Sequence, residues 1–337
     1  MTNTQYPSVN AQDIARAVDV LSKGGLVGMP TETVYGLAAD ADNRSAVLAT
    51  FAVKGRPVNH PLIVHVAGPE ALPYWACRIP EEAVKLAEAF WPGPLTMVLP
   101  KAERCGDFVT GGQDSVALRC PSHPWTRALL QAWAGPTQRG LTAPSANTFG
   151  HISPTSAKHV ADDLGVRPEG KLDMILDGGI CEVGLESTIV NLTGNQPQIL
   201  RHGAVTRAML EAVLGCPVPD AGGDAPRASG RLKSHYAPST KLELVPANQL
   251  ENRAAALSGL RLAVMAPEGV FENASGVVLR LTSPVTAQAY AHSLYEALHT
   301  LDAAGADRIL IAIPPQEPEW AAVNDRLGRA AADKDAS

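Results

Sequence analysis

The sequence predicts two α/β domains of unequal size, the first built on a mixed sheet. Three observations point there. The 337 residues allow about two domains at ~150 residues each. Short apolar runs alternate with helical periodicities, and several strand-to-strand steps interrupt the alternation, which favours a mixed sheet over a strictly parallel one. The stretch Ala221 to Thr240 is rich in glycine, proline and alanine and carries Arg227, Arg231 and Lys233 with one acid, Asp224. It reads as a linker. The expected layout is a first domain over 1–220, a linker over 221–240 and a second domain over 241–332.

The elements follow in order. Ile14, Val18 and Leu21 recur at helical spacing over Ala11 to Lys23, and Gly24 is a natural stop. Leu26 to Met29 is a short strand running into Thr31–Gly36, a strand end or loop. Asp42 or Asn43 can cap a helix through Val53, and Leu62 to Val66 is a strand carrying His65. Pro80 suits the first position of a helix to Phe90. Trp91-Pro92-Gly93-Pro94 is a turn, after which Leu95–Leu99 and Val116–Arg119 read as strands. Pro124–Trp133 is helical, Leu141–Ala143 is a strand, and Ser153-Pro154 starts a helix ending near Leu164. Strands at Leu172–Leu176, Ser187–Leu192 and Gln198–Arg201 and a helix at Thr206–Leu214 complete the first block. The second block reads strand Leu242–Val245, helix Gln249–Ser258, strands Leu262–Met265 and Val277–Leu281, helix Thr286–Ala304, strand Arg308–Ile313 and helix Trp320–Ala332. That is a small Rossmann-like unit without the G-x-G-x-x-G fingerprint, so its fold carries no function. Asp333–Ser337 reads as a frayed tail.

Composition narrows the function classes. Hydrophobic residues make up 45% and charged residues 18%, as in ordinary globular chains. A net charge of -6 gives no global field attracting nucleic acid, so an anionic ligand needs local cations. Cys77, Cys105, Cys120, Cys181 and Cys216 are odd in number and scattered, which argues against a disulfide framework or a zinc site. The N-terminus lacks a signal-peptide pattern, and no apolar run reaches the ~20 residues of a membrane span. A cytoplasmic location is expected, with the sequons at Asn191 and Asn273 as chance matches.

The chemistry-bearing residues cluster in a few places. Lys54-Gly55-Arg56-Pro57 places two cations around a glycine. Pro57 biases Arg56 toward extended geometry, in which alternate side chains face the same way, and Gly55 has no Cβ to block a ligand. The pair is either a solvated basic loop or one wall of a polyanion site. Ser145 and Asn147 repeat the alternation after a strand, as turn chemistry or as ligand donors. Ser153 is a helix cap, or part of an anion site on free backbone N–H groups. Arg119, in the apolar run Val-Ala-Leu-Arg-Cys, must find an anion, either a protein carboxylate or a substrate carboxylate. Arg201 invites the same two readings. His65 is a strand histidine or a site residue, and Glu186-Ser187-Thr188 is a polar strand entry or part of a site. The Walker loop, H-E-x-x-H and G-x-S-x-G are all absent, so ATP would need a different cradle.

Taken in order, Pro30-Thr31-Glu32-Thr33-Val34-Tyr35-Gly36-Leu37, Lys54-Gly55-Arg56-Pro57, Pro61-Leu62-Ile63-Val64-His65-Val66, Trp91-Pro92-Gly93-Pro94-Leu95-Thr96, Ala143-Pro144-Ser145-Ala146-Asn147, Gly184-Leu185-Glu186-Ser187-Thr188-Ile189-Val190 and Ile199-Leu200-Arg201-His202-Gly203 closely resemble the YrdC/Sua5 family of threonylcarbamoyl-AMP synthases. The resemblance covers roughly Ala11 to Leu214. Ser234-His235-Tyr236-Ala237-Pro238 and the second unit resemble the two-domain Sua5 form. It implies a YrdC-like twisted mixed sheet with flanking helices, and synthesis of threonylcarbamoyl-AMP and pyrophosphate from L-threonine, bicarbonate (or CO2) and ATP, with Mg2+ assisting. The product would pass to a threonylcarbamoyl transferase acting on adenosine 37 of tRNA. Carried over by motif, Lys54 and Arg56 would neutralise phosphates as the catalytic pair. His60, Ser115, Ser145, Asn147, Ser153, Arg201 and Tyr236 would complete the ATP site, Tyr236 as a lid. Thr33, His65, Arg119, Ala143 and Ser187 would line the L-threonine pocket, and the metal ligands stay open. Two positions depart from the family pattern: His60 stands where asparagine is usual, and Ser229-Gly230 where Pro-Gly is common, which would loosen the lid's entry. A second reading is an RNA-binding module with weak direct RNA binding. A third, carbamoyl transfer of the hydrogenase-maturation type, lacks its added zinc-finger cysteines and acylphosphatase-like segment here.

Overall fold

The computed structural model describes residues 6–230, 232–271 and 276–332. Arg231, the Asn273 sequon and the tail 333–337 lie outside the described residues. The chain divides into two compact units, Met1–Phe149 with Pro154–Arg231, and Gly150–Ser153 with Leu232–Ser337.

The first unit is built on β1 (Val27–Met29), β2 (Gly36–Asp40), β3 (Ile63–His65), β4 (Leu95–Pro100), β5 (Ser115–Arg119), β6 (Leu141–Thr142), β7 (Met174–Ile175), β8 (Thr188–Asn191) and β9 (Gln198–Arg201). Among the described residues they form one nine-stranded sheet in the order β7-β1-β2-β6-β3-β5-β4-β8-β9. Parallel pairs (β3 with β5, β4 with β8) alternate with antiparallel ones, giving the mixed sheet expected from the irregular alternation. Strands β1 to β3 are buried along their whole length, as befits a sheet covered on both faces. Helix Ala11–Ser22 presents Ile14 and Leu21 to Leu129 and Trp133 of helix Pro124–Ala134, together with Val27 and Met29. Helices Glu81–Phe90 and Arg207–Leu214 bring Leu86 and Leu210 onto Met97, Leu118 and Val190. Elsewhere Ile63, Val98, Ile189 and Leu200 are covered by Ala221, Ala225 and Ala228, so the start of the expected linker lies as a strap on this sheet.

One element was not anticipated and two local expectations need correction. Gly36–Asp40 is a strand. Its small residues hide it in the sequence, while pairing with β1 and β6 holds it in the structure. Lys54-Gly55-Arg56 is not an extended run. Lys54 ends helix Arg44–Lys54 and Gly55 is its left-handed cap at φ 64°, with the cap's N–H bonded to the Ala52 carbonyl. The space around Gly55 is open, so its backbone conformation explains the glycine. Finally, no helix starts at Ser153-Pro154. The helix is Ala157–Asp163, capped by Ser156 through the His159 N–H.

The second unit contains β10 (Leu242–Val245), β11 (Leu262–Ala266), β12 (Val277–Thr282) and β13 (Arg308–Ala312), a parallel sheet in the order β10-β13-β11-β12. Helices Leu250–Ala256, Ala287–Asp302 and Ala321–Ala331 connect or follow its strands. Tyr236 belongs here. It is buried at φ 61°, with its ring centroid 5.7 Å from that of Tyr295 and the Arg326 guanidinium 5.4 Å from its face. Ser153 is also in this unit, its carbonyl 3.2 Å from His299 Nε2. No helix among the described residues is long and apolar enough to cross a membrane.

Two glycines separate conformational from steric necessity. A Cβ on Gly36 would lie 2.9 Å from the Ala143 Cβ, so Gly36→Ala must push β2 away from the loop after β6. Gly55→Ala meets no neighbour and costs only its left-handed backbone, about 1 kcal/mol. Urea denaturation should show Gly36→Ala as the more destabilised of the two; equal losses would contradict the close approach.

Candidate active site

Register and side-chain alternation bring four of the sequence-predicted residues, His65, Ser115, Arg119 and Arg201, to one face of the first unit's sheet. His65 on β3 pairs with Arg119 on β5, Arg119 with Thr96 on β4, Thr96 with Ile189 on β8, and Ile189 with Arg201 on β9. Register partners share a face, and so do residues two apart along a strand. Ser115 and Ala117 therefore lie on the same face as Arg119, Ile63 with His65, and Val98 with Thr96. The result is a polar row (His65, Arg119, Thr96, Arg201) beside an apolar row (Ile63, Ala117, Val98). Ser187, just before β8, joins the polar row through its hydroxyl, 2.7 Å from that of Thr96.

Hydrogen bonds fix this row. Arg201 donates from Nε and Nη2 to the Ser187 carbonyl at 3.0 and 2.9 Å, and from Nη2 to the Ser187 hydroxyl at 3.1 Å. Arg119 meets a protein carboxylate, Glu32, whose Oε1 lies 2.7 Å from Nη2. The protein carboxylate left open by the sequence is thus present, while the Arg119 Nε has no hydrogen-bond partner among the described residues. His65 Nδ1 is likewise buried without such a partner. Burial, then the neighbouring Arg119 charge, push the His65 imidazole down to about 3. Thr33 lies in the turn before β2, its hydroxyl 2.9 Å from that of Thr31, which donates in turn to the Val34 carbonyl at 2.6 Å.

Lys54 is fully enclosed. Its ammonium donates to the carbonyls of Ser145 at 2.5 Å and Asn147 at 2.6 Å. The loop carrying these two residues is also tied to the β2 entrance, where Ala146 N–H meets the Tyr35 carbonyl and Leu37 N–H the Pro144 carbonyl. Ala143, at the start of the loop, donates its N–H to the Ile63 carbonyl at 3.2 Å. Burial first, and the Arg56 charge second, hold the Lys54 ammonium well below its ordinary value. Arg56 donates to the Pro61 carbonyl at 2.8 Å and to the Ser229 hydroxyl at 3.1 Å, while its guanidinium sits 5.7 Å from the Phe149 ring centroid. His60 meets the same ring edge-on at 5.4 Å, and burial followed by Arg56 lowers its pKa.

Ser115 lines a narrow cleft with Ile63, Val98, Ile189 and the strap residues Arg227 to Ser229. The strap is fastened here. Gln113 and Arg227 exchange two hydrogen bonds, and the Ser229 carbonyl accepts from Arg201 Nη1 at 3.0 Å. The Ser229 hydroxyl also donates to the Pro61 carbonyl at 3.1 Å. The Ser229 hydroxyl therefore makes two contacts that a proline would lack. Glu32, Thr96 and Thr31 were inside the quoted motifs but went unassigned, because their roles depend on partners distant in sequence. Ser153 and Tyr236 fall in the second unit.

Comparison with known proteins identifies the family. The Sua5/YciO/YrdC family model, described as "Telomere recombination", matches residues 19–203. The model described as the C-terminal domain of threonylcarbamoyl-AMP synthase matches residues 205–332. The Pyrococcus abyssi threonylcarbamoyl-AMP synthase is 38% identical over 93% of this chain and 92% of its own length. The chain belongs to the two-domain Sua5 family of threonylcarbamoyl-AMP synthases. The Bacillus subtilis synthase is 36% identical over 97% of this chain and 95% of its own. Among solved structures, P. abyssi Sua5 complexed with L-threonine matches with a TM-score of 0.86 and 36% identity, covering 96% of both chains. A double-alanine variant of P. abyssi Sua5 matches with the same TM-score over 96% of this chain and 93% of its own. This Sua5 chain is therefore a nucleotidyltransferase that forms threonylcarbamoyl-AMP.

The buried imidazole of this synthase makes its stability sensitive to acid. Unfolded, His65 takes up a proton near 6.5; folded, it stays neutral down to about 3. The unfolded chain binds more protons throughout that window, so stability falls as pH drops below 6.5, by up to about 1.4 kcal/mol per pH unit for one histidine. His123, pushed down to about 4 by burial, adds to the upper part of the window. Melting curves of His65→Asn should lose less stability between pH 6.5 and 4 than the parent; parallel declines would contradict a neutral buried His65.

Proposed function

We propose that the polar row of the sheet is the L-threonine pocket and that the Lys54–Arg56 corner, the Ser145–Asn147 loop, Ser115, His60 and Arg201 form the ATP side. The observation that carries this is the alignment of His65, Arg119, Thr96 and Arg201 by strand register. Arg119 receives the amino-acid carboxylate on its Nε side, with Thr33, His65, Ala143 and Ser187 around the rest of the molecule. The complex of P. abyssi Sua5 with L-threonine supports an amino-acid pocket in this fold.

Condensation of the threonine amine with bicarbonate (or CO2) gives a carbamate. One carbamate oxygen attacks the α-phosphorus of ATP, the bond to the β-phosphate oxygen breaks, and pyrophosphate leaves. The carbamate is its own nucleophile, so the site's work is alignment and neutralisation of phosphate charge. Arg56 and Arg201 supply fixed cations. Lys54 holds the carbonyls of Ser145 and Asn147 and lends its charge from beneath, and an anion above it would favour its protonated form. Among the described residues no cluster of three or more His, Cys, Asp or Glu side chains is arranged for a metal, so Mg2+ would arrive on the triphosphate. The strap Ala221–Ser229, packed on the same sheet, covers part of this face and helps keep water from the labile adenylate. The product supplies N6-threonylcarbamoylation of adenosine 37 in tRNA, in the cytoplasm.

Pyrophosphate release is the direct assay. Release should require both L-threonine and bicarbonate, and Arg56→Ala should lower kcat/KM about 100-fold while leaving the fold intact, as expected for a lost charge-assisted donor. Release that ignores threonine would sink the pocket assignment, and near-parental kinetics for Arg56→Ala would sink the phosphate role.

A further inference from the structure

The contact between Arg119 and Glu32 is a charge contact without hydrogen-bond alignment. Glu32 Oε1 lies 2.7 Å from Arg119 Nη2, and both side chains are almost completely buried. Yet Arg119 Nε, Arg119 Nη2 and Glu32 Oε1 all lack a hydrogen-bond partner of good geometry among the described residues. The guanidinium is charge-balanced by Glu32 at Nη2, while its Nε–H has no hydrogen-bond partner among the described residues. A carboxylate oxygen can accept from that Nε–H as a charge-assisted hydrogen bond.

Glu32 is not free to swing onto it. Its Oε2 accepts the Ser122 N–H at 3.1 Å. Its own carbonyl accepts the Val183 N–H at 2.7 Å. The Thr31 hydroxyl accepts the N–H groups of Thr33 and Val34 at 3.1 and 3.2 Å, which stiffens the turn on both sides of Glu32. A carboxylate anchored by its own hydrogen bond thus faces the long, buried Arg119 side chain.

We propose that Glu32 is a positioning residue for amino-acid recognition: it fixes the Arg119 guanidinium from one side and leaves the Nε edge for the carboxylate of L-threonine. The proposal rests on the reading of Arg119 as the carboxylate's partner. Two effects follow from one contact. Glu32 compensates the buried cation while the pocket is empty, when an unpaired charge would be costly. It also removes the rotamer freedom of Arg119 before the substrate arrives, so the ordering cost does not fall on binding. The substrate's negative group then meets a preset fork, and Glu32 never touches the substrate.

The test is steady-state kinetics on the full chain, with thermal melting as the check on folding. Glu32→Gln keeps the size and an acceptor for the Ser122 N–H but removes the charge. It should raise the KM for L-threonine about tenfold and leave the KM for ATP within about twofold, because the lost interaction acts only on the amino acid. Inhibition by L-threoninamide, which lacks the carboxylate, should change far less. Glu32→Asp retains the charge and should raise the KM for L-threonine less than Glu32→Gln does. It decides the matter if Glu32→Gln fails to fold, since an unchanged KM for L-threonine in the aspartate variant overturns the proposal. An unchanged or lowered KM for L-threonine in Glu32→Gln, or equal rises for both substrates, also overturns it. Arg119→Lys separates the two layers. If it leaves the KM for L-threonine unaltered, the carboxylate reading of Arg119 falls and the proposal with it. If it raises that KM and Glu32→Gln does not, only the role of Glu32 falls.

Discussion

The ammonium of Lys54 is the point on which the local architecture of the site depends. It sits in the last residue of helix Arg44–Lys54, where the helix's unpaired carbonyls favour a cation. From there it donates to the carbonyls of Ser145 and Asn147, two residues from a distant loop. A buried ammonium is tolerated only with such partners, and buried carbonyls equally need a donor. One charge therefore satisfies two backbone groups and ties a helix end to a loop. The turn that follows is fixed by the same helix end: Gly55 caps it, and the Arg56 N–H returns to the Phe51 carbonyl. Arg56 leaves the helix in a set direction toward Pro61 and Ser229.

Much of the fold was legible because its signals are local. Apolar runs of four or five residues gave β4, β5 and β9 nearly to the residue, and periodicity with caps gave the long helices. Strand β2 escaped because Gly36-Leu37-Ala38-Ala39-Asp40 has little β propensity of its own. Its ladder with β1 and β6 decides the matter, and such pairing is invisible in one segment. At Lys54-Gly55-Arg56-Pro57 two local rules competed. The proline rule concerns only the residue before it, Arg56, whereas the glycine belonged to the preceding helix as its left-handed end. At Ser153-Pro154-Thr155-Ser156 two serines could each cap a helix, and the second one does.

The site was legible as a set of residues and illegible as a geometry. Arg119 could be seen to need an anion, but Glu32 lies far off in sequence, and only the fold brings it to contact. Thr96 was one more strand residue until register placed it between Arg119 and Ile189. The sequence also gave no reason to separate Ala221–Ser229 from the rest of the linker. Its alanines are small enough to lie flat on Ile63, Val98 and Ile189, and this packing assigns the strap to the first unit's sheet.

The strap has a consequence for how affinity in this protein is to be understood. The Ser229 hydroxyl and carbonyl occupy N–H groups of Arg56 and Arg201, two cations that are far apart in the chain. Any anion seeking those same N–H groups competes with a tethered rival that is present at high effective concentration. By mass action, the measured affinity is the intrinsic one reduced by the fraction of molecules in which the rival has let go. Tightness of binding is thereby adjustable without altering any residue that meets the ligand. Ala225 and Ala228 pack against the sheet, so substitutions there would bear on how firmly the rival is held.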